Sequence, residues 1–131
     1  MSMDPGKKIL ILIADDEVNL LLLLKDNLEE YGFDVVTAAD GAEAYEKATQ
    51  EKPDIIVLDV EMPRLNGLQV CEKIRRLPEF AAVPIMILSA YAQAEDIKKG
   101  LALGANQYMT KPFRVKELVE TIRGLRVKKP G

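Results

Sequence analysis

The sequence predicts an α/β domain: a doubly wound, five-stranded parallel sheet with helices on both faces. Three observations carry this. Short aliphatic runs alternate five times with stretches of helical length and composition. The runs are apolar at successive positions rather than at every second one, the mark of strands buried on both faces. And 131 residues at 48% hydrophobic and 30% charged suit one globular unit with one core.

Taken in order, Ile9–Ile13 is the first strand, and Val18–Tyr31 is a helix stopped at Gly32, a good residue just past a helix end. Phe33–Ala38 is the second strand, followed by a helix over Ala42–Gln50 that opens after Asp40-Gly41 and stops before Pro53. Asp54–Leu58 is the third strand, and a helix over Leu68–Leu77 stops at Pro78. Pro84–Leu88 is the fourth strand, with a helix over Ala94–Leu103 ended by Gly104. Asn106–Met109 is a weaker fifth strand, before a helix over Val115–Leu125. Strands alternating with helices require crossovers and a parallel sheet. The preferred strand order is 2-1-3-4-5, the flavodoxin-like arrangement, whose sites form beyond the carboxyl ends of the strands. The domain is expected over residues 7–127, with a loose leader at 1–6 and a tail at 128–131.

Composition excludes several chemistries. There is no histidine, which removes Ser-His-Asp triads, most zinc sites and phosphohistidine chemistry on this chain. The single cysteine, Cys71, forbids an internal disulfide framework and suits a reducing compartment, so the cytoplasm is the expected setting. No apolar stretch approaches the about 20 residues of a membrane span, and no signal peptide opens the chain. The net charge of −3 hides a polarity: residues 1–70 carry 6 basic and 15 acidic side chains, residues 71–131 carry 12 and 6.

The strand ends hold the informative residues. The first strand runs into Asp15-Asp16-Glu17, the third ends at Asp59, the fourth at Ser89, and Thr110-Lys111-Pro112 follows the fifth. Clustered carboxylates raise one another's pKa unless a cation sits among them. Oxygen ligands without His or Cys favour Mg²⁺, with Mn²⁺ and Ca²⁺ as substitutes. A lysine opposite that cation completes an electrostatic clamp for a phosphoryl group, and an aspartate can be the nucleophile. Individually these residues have plainer roles: Glu17 as a helix cap, Asp59 in a turn, Lys111 solvated, Ser89 a turn hydroxyl. Their coincidence at four strand ends points to phosphoryl chemistry.

The acidic DDE at 15–17, the pattern D-x-x-M-P-x-x-x-G from Asp59 to Gly67, Ser89-Ala90, and the segment GANQYMTKPF at 104–113 together resemble the receiver domain of two-component response regulators. The resemblance runs from about Lys7 to Val127. It implies that Asp59 accepts a phosphoryl group from a phosphohistidine on a sensor histidine kinase or histidine phosphotransfer protein. It implies that Asp15, Asp16, Asp59 and the backbone carbonyl of Glu61 bind Mg²⁺. Lys111 then contacts the phosphoryl group, Ser89 is the switch hydroxyl, Tyr108 the aromatic switch residue, and Lys111–Pro112 a cis peptide. Output to a downstream effector protein or domain is expected through the fourth helix, fifth strand and fifth helix, including Lys98, Lys99 and Tyr108. Glu61 and Tyr91 occupy positions that in the family tune the lifetime of the phosphoryl group, and Ala14 stands where a valine is common. The chain is expected to be a switch rather than an enzyme, catalysing only its own phosphorylation and dephosphorylation.

Two features stand beside the resemblance. Within Leu20–Leu24, a helix burying positions near 20, 23, 24, 27 or 28 and 31 leaves Leu21 and Leu22 exposed, a ridge for the kinase's helical bundle or a second copy of this chain. The basic C-terminal third reads as a solvated helix face, without direct nucleic-acid binding. Competing readings are weaker. An aspartate-nucleophile phosphohydrolase resembles D-x-D-x-T/S, and Asp59-Val60-Glu61 lacks the second Asp. A flavodoxin-type FMN carrier is disfavoured because Asp15-Asp16-Glu17 would repel its phosphate. A partner-binding pseudo-receiver requires loss of Asp59, Lys111 or an acidic ligand, and all are present.

Overall fold

The computed structural model describes residues 8–128, with side chains through Leu125. The leader expected at 1–6, Lys7, and residues 129–131 of the expected tail lie outside the described residues. Five strands alternate with five helices: β1 (Leu10–Ala14), α1 (Val18–Glu30), β2 (Asp34–Ala38), α2 (Gly41–Glu51), β3 (Ile55–Asp59), α3 (Gly67–Arg75), β4 (Ile85–Ser89), α4 (Ala94–Ala102), β5 (Gln107–Thr110) and α5 (Val115–Lys128). The sheet is parallel throughout in the order β2-β1-β3-β4-β5.

Burial follows the aliphatic runs. Every residue of β3 and β4 is buried, whereas β5, at the sheet edge, has none buried. That edge position explains its faint signature in the sequence. β1, β3, β4 and β5 each continue one residue past the expected run. The backbone ladder extends beyond the aliphatic side chains, pairing Asp59 with Leu88 and Ser89 with Thr110. Polar side chains are thereby anchored inside strands rather than in the loops after them.

The sheet divides the core in two. Leu12, Ile56, Leu58, Ile85 and Ile87 face α2 and α3. Ile11, Ile13, Ile55, Val57, Met86 and Leu88 face α1 and α5. Period-two strands place alternate residues on opposite faces, so each run serves both layers.

Helix ends obey local chemistry. Asp40 caps α2 by accepting from the Glu43 amide, while Glu43 accepts from the Ala39 amide. Asn66 and Gln69 form a reciprocal box at the start of α3. α3 ends at Arg75 rather than at the expected Leu77. Pro78 forces its predecessor into extended backbone (Leu77 φ −89°, ψ 120°) and opens a short 3-10 turn, Pro78–Phe80. Arg75 ties this region together by donating to the carbonyls of Gly104 and Phe80 and to Asn106 Oδ1.

One expectation is corrected. Leu21 is buried at 5% exposure, not solvent-facing; the exposed pair is Leu22 and Leu23, at 56% and 53%. α1 presents Leu21, Leu24 and Leu28 to the sheet, a stripe rotated from the expected one, and Tyr31 lies beyond the helix at its exposed C-cap. Five consecutive leucines carry no period of their own, so the rotation of the helix is set by what packs on either side.

Candidate functional site

The carboxyl ends of β1, β3, β4 and β5 open on one edge of the sheet, and the expected residues meet there. Asp15, directly after β1, is completely buried. Its amide donates to the Ala38 carbonyl at the end of β2, and its Oδ1 accepts from the Glu17 amide. Asp16 beside it is exposed. Asp59, the last residue of β3, is 1% exposed. One carboxylate oxygen from each of Asp15, Asp16 and Asp59 lies within 4.8 Å of the others.

Lys111 reaches across from the end of β5. Its Nζ donates to Asp15 Oδ2 at 2.7 Å and stands 3.3 Å from Asp59 Oδ1, an ion pair without the alignment of a hydrogen bond. Glu17 Oε1 is 4.0 Å from the same ammonium, at the solvent margin. The Lys111 amide donates to the Ser89 carbonyl, and the Lys111–Pro112 peptide is cis. Asp59 Oδ1 is, among the described residues, the buried side-chain oxygen left without a hydrogen-bond donor.

The electrostatics follow from this packing. Burial, and then the charge of Asp15, push the Asp59 carboxyl up to about 7 against the opposing pull of Lys111. Burial alone would lower the Lys111 ammonium. The hydrogen bond and charge of Asp15, with Asp59, outweigh it and hold Lys111 above its ordinary range. One lysine thus does not neutralise the pocket. The remaining negative charge, the all-oxygen donor set and the donorless Asp59 oxygen fit a hard divalent cation such as Mg²⁺.

The backbone of the β3–α3 loop passes close to the pocket. A Cβ on Gly67 would collide with the Asp59 carbonyl, so glycine is required for α3 to start against the end of β3. On the other side, the Ser89 hydroxyl donates to Glu61 Oε2 at 3.0 Å and accepts from the Tyr91 amide at 3.0 Å. Tyr108, half-buried on β5, donates its hydroxyl to the Tyr91 carbonyl at 2.6 Å. Lys98 and Lys99 are exposed on α4, and Lys99 lines the same small pocket as Tyr108. The contact of the Glu61 carboxylate with Ser89 has no signature in the sequence. The two residues are 28 positions apart and meet only because adjacent strands end together.

Comparison with known proteins agrees with this geometry. The sequence matches the response regulator receiver domain family over residues 11–123, and the chain belongs to that family. It is therefore a receiver domain of the response regulators of two-component signalling. It is 46% identical over 115 residues to the alkaline phosphatase synthesis transcriptional regulatory protein PhoP of Bacillus subtilis, covering 88% of this chain and 47% of PhoP. The chain thus spans about half the length of that relative. Among solved structures, the chemotaxis response regulator CheY4 of Vibrio cholerae superposes with a TM-score of 0.87 at 30% identity, over 91% of this chain and 99% of that one. The CheX–CheY–BeF3–Mg²⁺ complex of Borrelia burgdorferi contains a chain that superposes at 0.85 with 28% identity, over 92% and 90%. Among the described residues, no helix is long and apolar enough to cross a membrane.

Proposed function

We propose that this chain is a phosphorylation-dependent switch in which Asp59 accepts a phosphoryl group from a phosphohistidine on a sensor kinase or phosphotransfer protein. The observation that carries the reading is the meeting of Asp15, Asp16, Asp59 and Lys111 at one sheet edge, with Asp59 Oδ1 lacking a donor. An Asp59 oxygen attacks phosphorus, the phosphorus–nitrogen bond to the donor imidazole breaks, and its electron pair leaves with that nitrogen. Lys111 offsets charge spread over the transferring oxygens, and the buried strand end holds the nucleophile in line. Asp15, Asp16, Asp59 and the Glu61 carbonyl would hold Mg²⁺ (Mn²⁺ as substitute), which supplies positive charge to the same oxygens. The lack of histidine fits an acceptor.

The acyl phosphate adds about −1.5 to −2 charge at the sheet edge. Ser89 and Tyr108 are the groups placed to answer it, biasing a pre-existing equilibrium. The face of α4, β5 and α5 is the output surface, and the transcriptional role in PhoP's name supports an effector acting on transcription. The buried free thiol of Cys71 suits a reducing, cytoplasmic setting. A phosphohydrolase of similar architecture is the lesser reading, because Glu61 stands where its second Asp is needed. With Mg²⁺ and acetyl phosphate, intact-mass measurement is expected to show one phosphoryl group per chain and no sustained turnover of free phosphate esters. Steady ester hydrolysis without a labelled chain would overturn the switch in favour of the hydrolase.

The donor's approach supplies a second expectation. Leu22 and Leu23 project from α1, which begins three residues after Asp15. Replacing both by Glu is expected to slow transfer from the kinase about tenfold or more while labelling by acetyl phosphate stays at the wild-type rate, because a docking surface matters only to a macromolecular donor. Equal slowing with both donors would remove docking from this helix. Glu at the buried Leu21 tests folding instead, since it puts a charge into the core.

A further inference from the structure

The Glu61 side chain is exposed on the loop after β3, yet its carboxylate engages the one proton of the Ser89 hydroxyl. A serine hydroxyl has a single hydrogen to donate. While Glu61 Oε2 accepts it, that hydrogen is unavailable to any group on Asp59, in keeping with the donorless Asp59 Oδ1. Ser89 Oγ also accepts from the Tyr91 amide, and the Tyr91 carbonyl in turn accepts from Tyr108. Glu61, Ser89, the Tyr91 backbone and Tyr108 thus form one chain of hydrogen bonds from the loop after β3 to the edge strand β5. The Tyr108 ring rests against Gly100 of α4, where a Cβ would come within 3.1 Å of it. Glu61, Ser89, Leu68 and Tyr108 line a shared pocket of about 120 Å³, so space exists for these side chains to rearrange.

We propose that Glu61 is a positioning residue that latches the switch at rest: its carboxylate holds the Ser89 hydroxyl, and new negative charge on Asp59 releases it. The proposal rests on the reading of Asp59 as phosphoacceptor and deepens it by naming what opposes the active state. A phosphoryl group two residues away repels the Glu61 carboxylate and offers Ser89 a competing anionic acceptor. Both effects act on the same hydroxyl. When Ser89 turns, the Tyr91 amide loses its acceptor, and the segment that accepts from the Tyr108 hydroxyl loses its anchor. The affinity of any ligand for a state populated only in part falls by that fraction. The latch therefore lowers the apparent affinity for phosphoryl mimics.

The test uses Glu61→Ala, Glu61→Gln, Ser89→Ala and the double variant Glu61→Ala/Ser89→Ala. Two readouts are taken: NMR signals of the Tyr91 amide and Tyr108 ring without metal or donor, and beryllofluoride binding at saturating Mg²⁺. Glu61→Ala is expected to move the Tyr91 and Tyr108 signals toward their beryllofluoride-bound positions and to tighten apparent binding about tenfold. Glu61→Gln keeps an acceptor oxygen without the charge and is expected to stay within about twofold of wild type. In the Ser89→Ala background, Glu61→Ala is expected to add nothing further. Equal shifts in Ala and Gln would assign the effect to charge alone and overturn the latch, as would a Glu61→Ala effect that persists without Ser89. Should wild type take up no beryllofluoride, the phosphoacceptor reading falls. The Tyr91 and Tyr108 signals of the metal-free variants then decide the latch: unmoved in Glu61→Ala, they end it.

Discussion

Asp59→Asn is expected to take up no phosphoryl group from acetyl phosphate and, in metal-free buffer near neutral pH, to melt at a higher temperature than wild type. Both results come from one side chain. The amide has no carboxylate oxygen to form an acyl phosphate, so labelling disappears rather than slows. The gain in stability follows from burial and from the charge of Asp15, which push the native Asp59 carboxyl up to about 7. The folded chain therefore binds the Asp59 proton more tightly than the unfolded chain, whose aspartates titrate near about 4. This contribution is fully present below about 4 and is lost as pH rises through about 7. Above that range Asp59 is ionised in an unfavourable place, and the amide is relieved of it, by about 1–3 kcal/mol. The measurement is the difference in melting temperature between variant and wild type, with chelator, from pH 4 to 8. The difference should grow with pH and shrink when Mg²⁺ is added. A constant difference, or a variant less stable at every pH, would contradict the electrostatic account. Undiminished labelling of the variant would displace Asp59 as acceptor.

Lys111→Met is expected to show the opposite sign in stability and a large effect on rate. The ammonium is 17% exposed and is the cation facing two carboxylates that are nearly inaccessible to water. Removing one member of a buried ion pair leaves uncompensated charge, at a cost of about 3–5 kcal/mol. The loss should be partly recovered by saturating Mg²⁺, and partly by combining the change with Asp59→Asn, since each reduces the unpaired charge. Phosphoryl uptake at saturating Mg²⁺ should fall about 100- to 1,000-fold, the usual consequence of deleting one fixed donor to a developing oxyanion. Urea unfolding with and without Mg²⁺, beside labelling rates, checks both. A variant as stable as wild type in chelator would mean that solvent, not Lys111, balances these carboxylates.

Much of this arrangement was legible from residue order. The aliphatic runs marked β1, β3 and β4 because strands buried on both faces need apolar side chains at successive positions. The acidic pair, Asp59, Ser89 and Lys111 stood out because each follows or ends such a run. Three things were not legible, each for a physical reason. The rotation of α1 was hidden within an unbroken stretch of leucines, and only packing on α5 and the sheet selects Leu21 over Leu23. The termination of α3 two residues early reflects the restriction that Pro78 places on Leu77, an effect of one residue on its neighbour's backbone. The Glu61–Ser89 contact depends on how the loop after β3 lies against the end of β4, which no local pattern encodes.

α4 buries a single residue, Gly100, in contrast to the four that α3 commits to the core. Lys98, Lys99 and Leu101 on its outer surface can be exchanged with little consequence for folding, since surface positions away from caps and packing usually change stability by about 0.5 kcal/mol or less. Asp15, Asp59 and Ser89, by contrast, are sealed within or against strands that every layer of the molecule depends on. If α4 is the output surface, as proposed, its outer residues can be rewritten for a new partner without disturbing the packing that holds the strand ends.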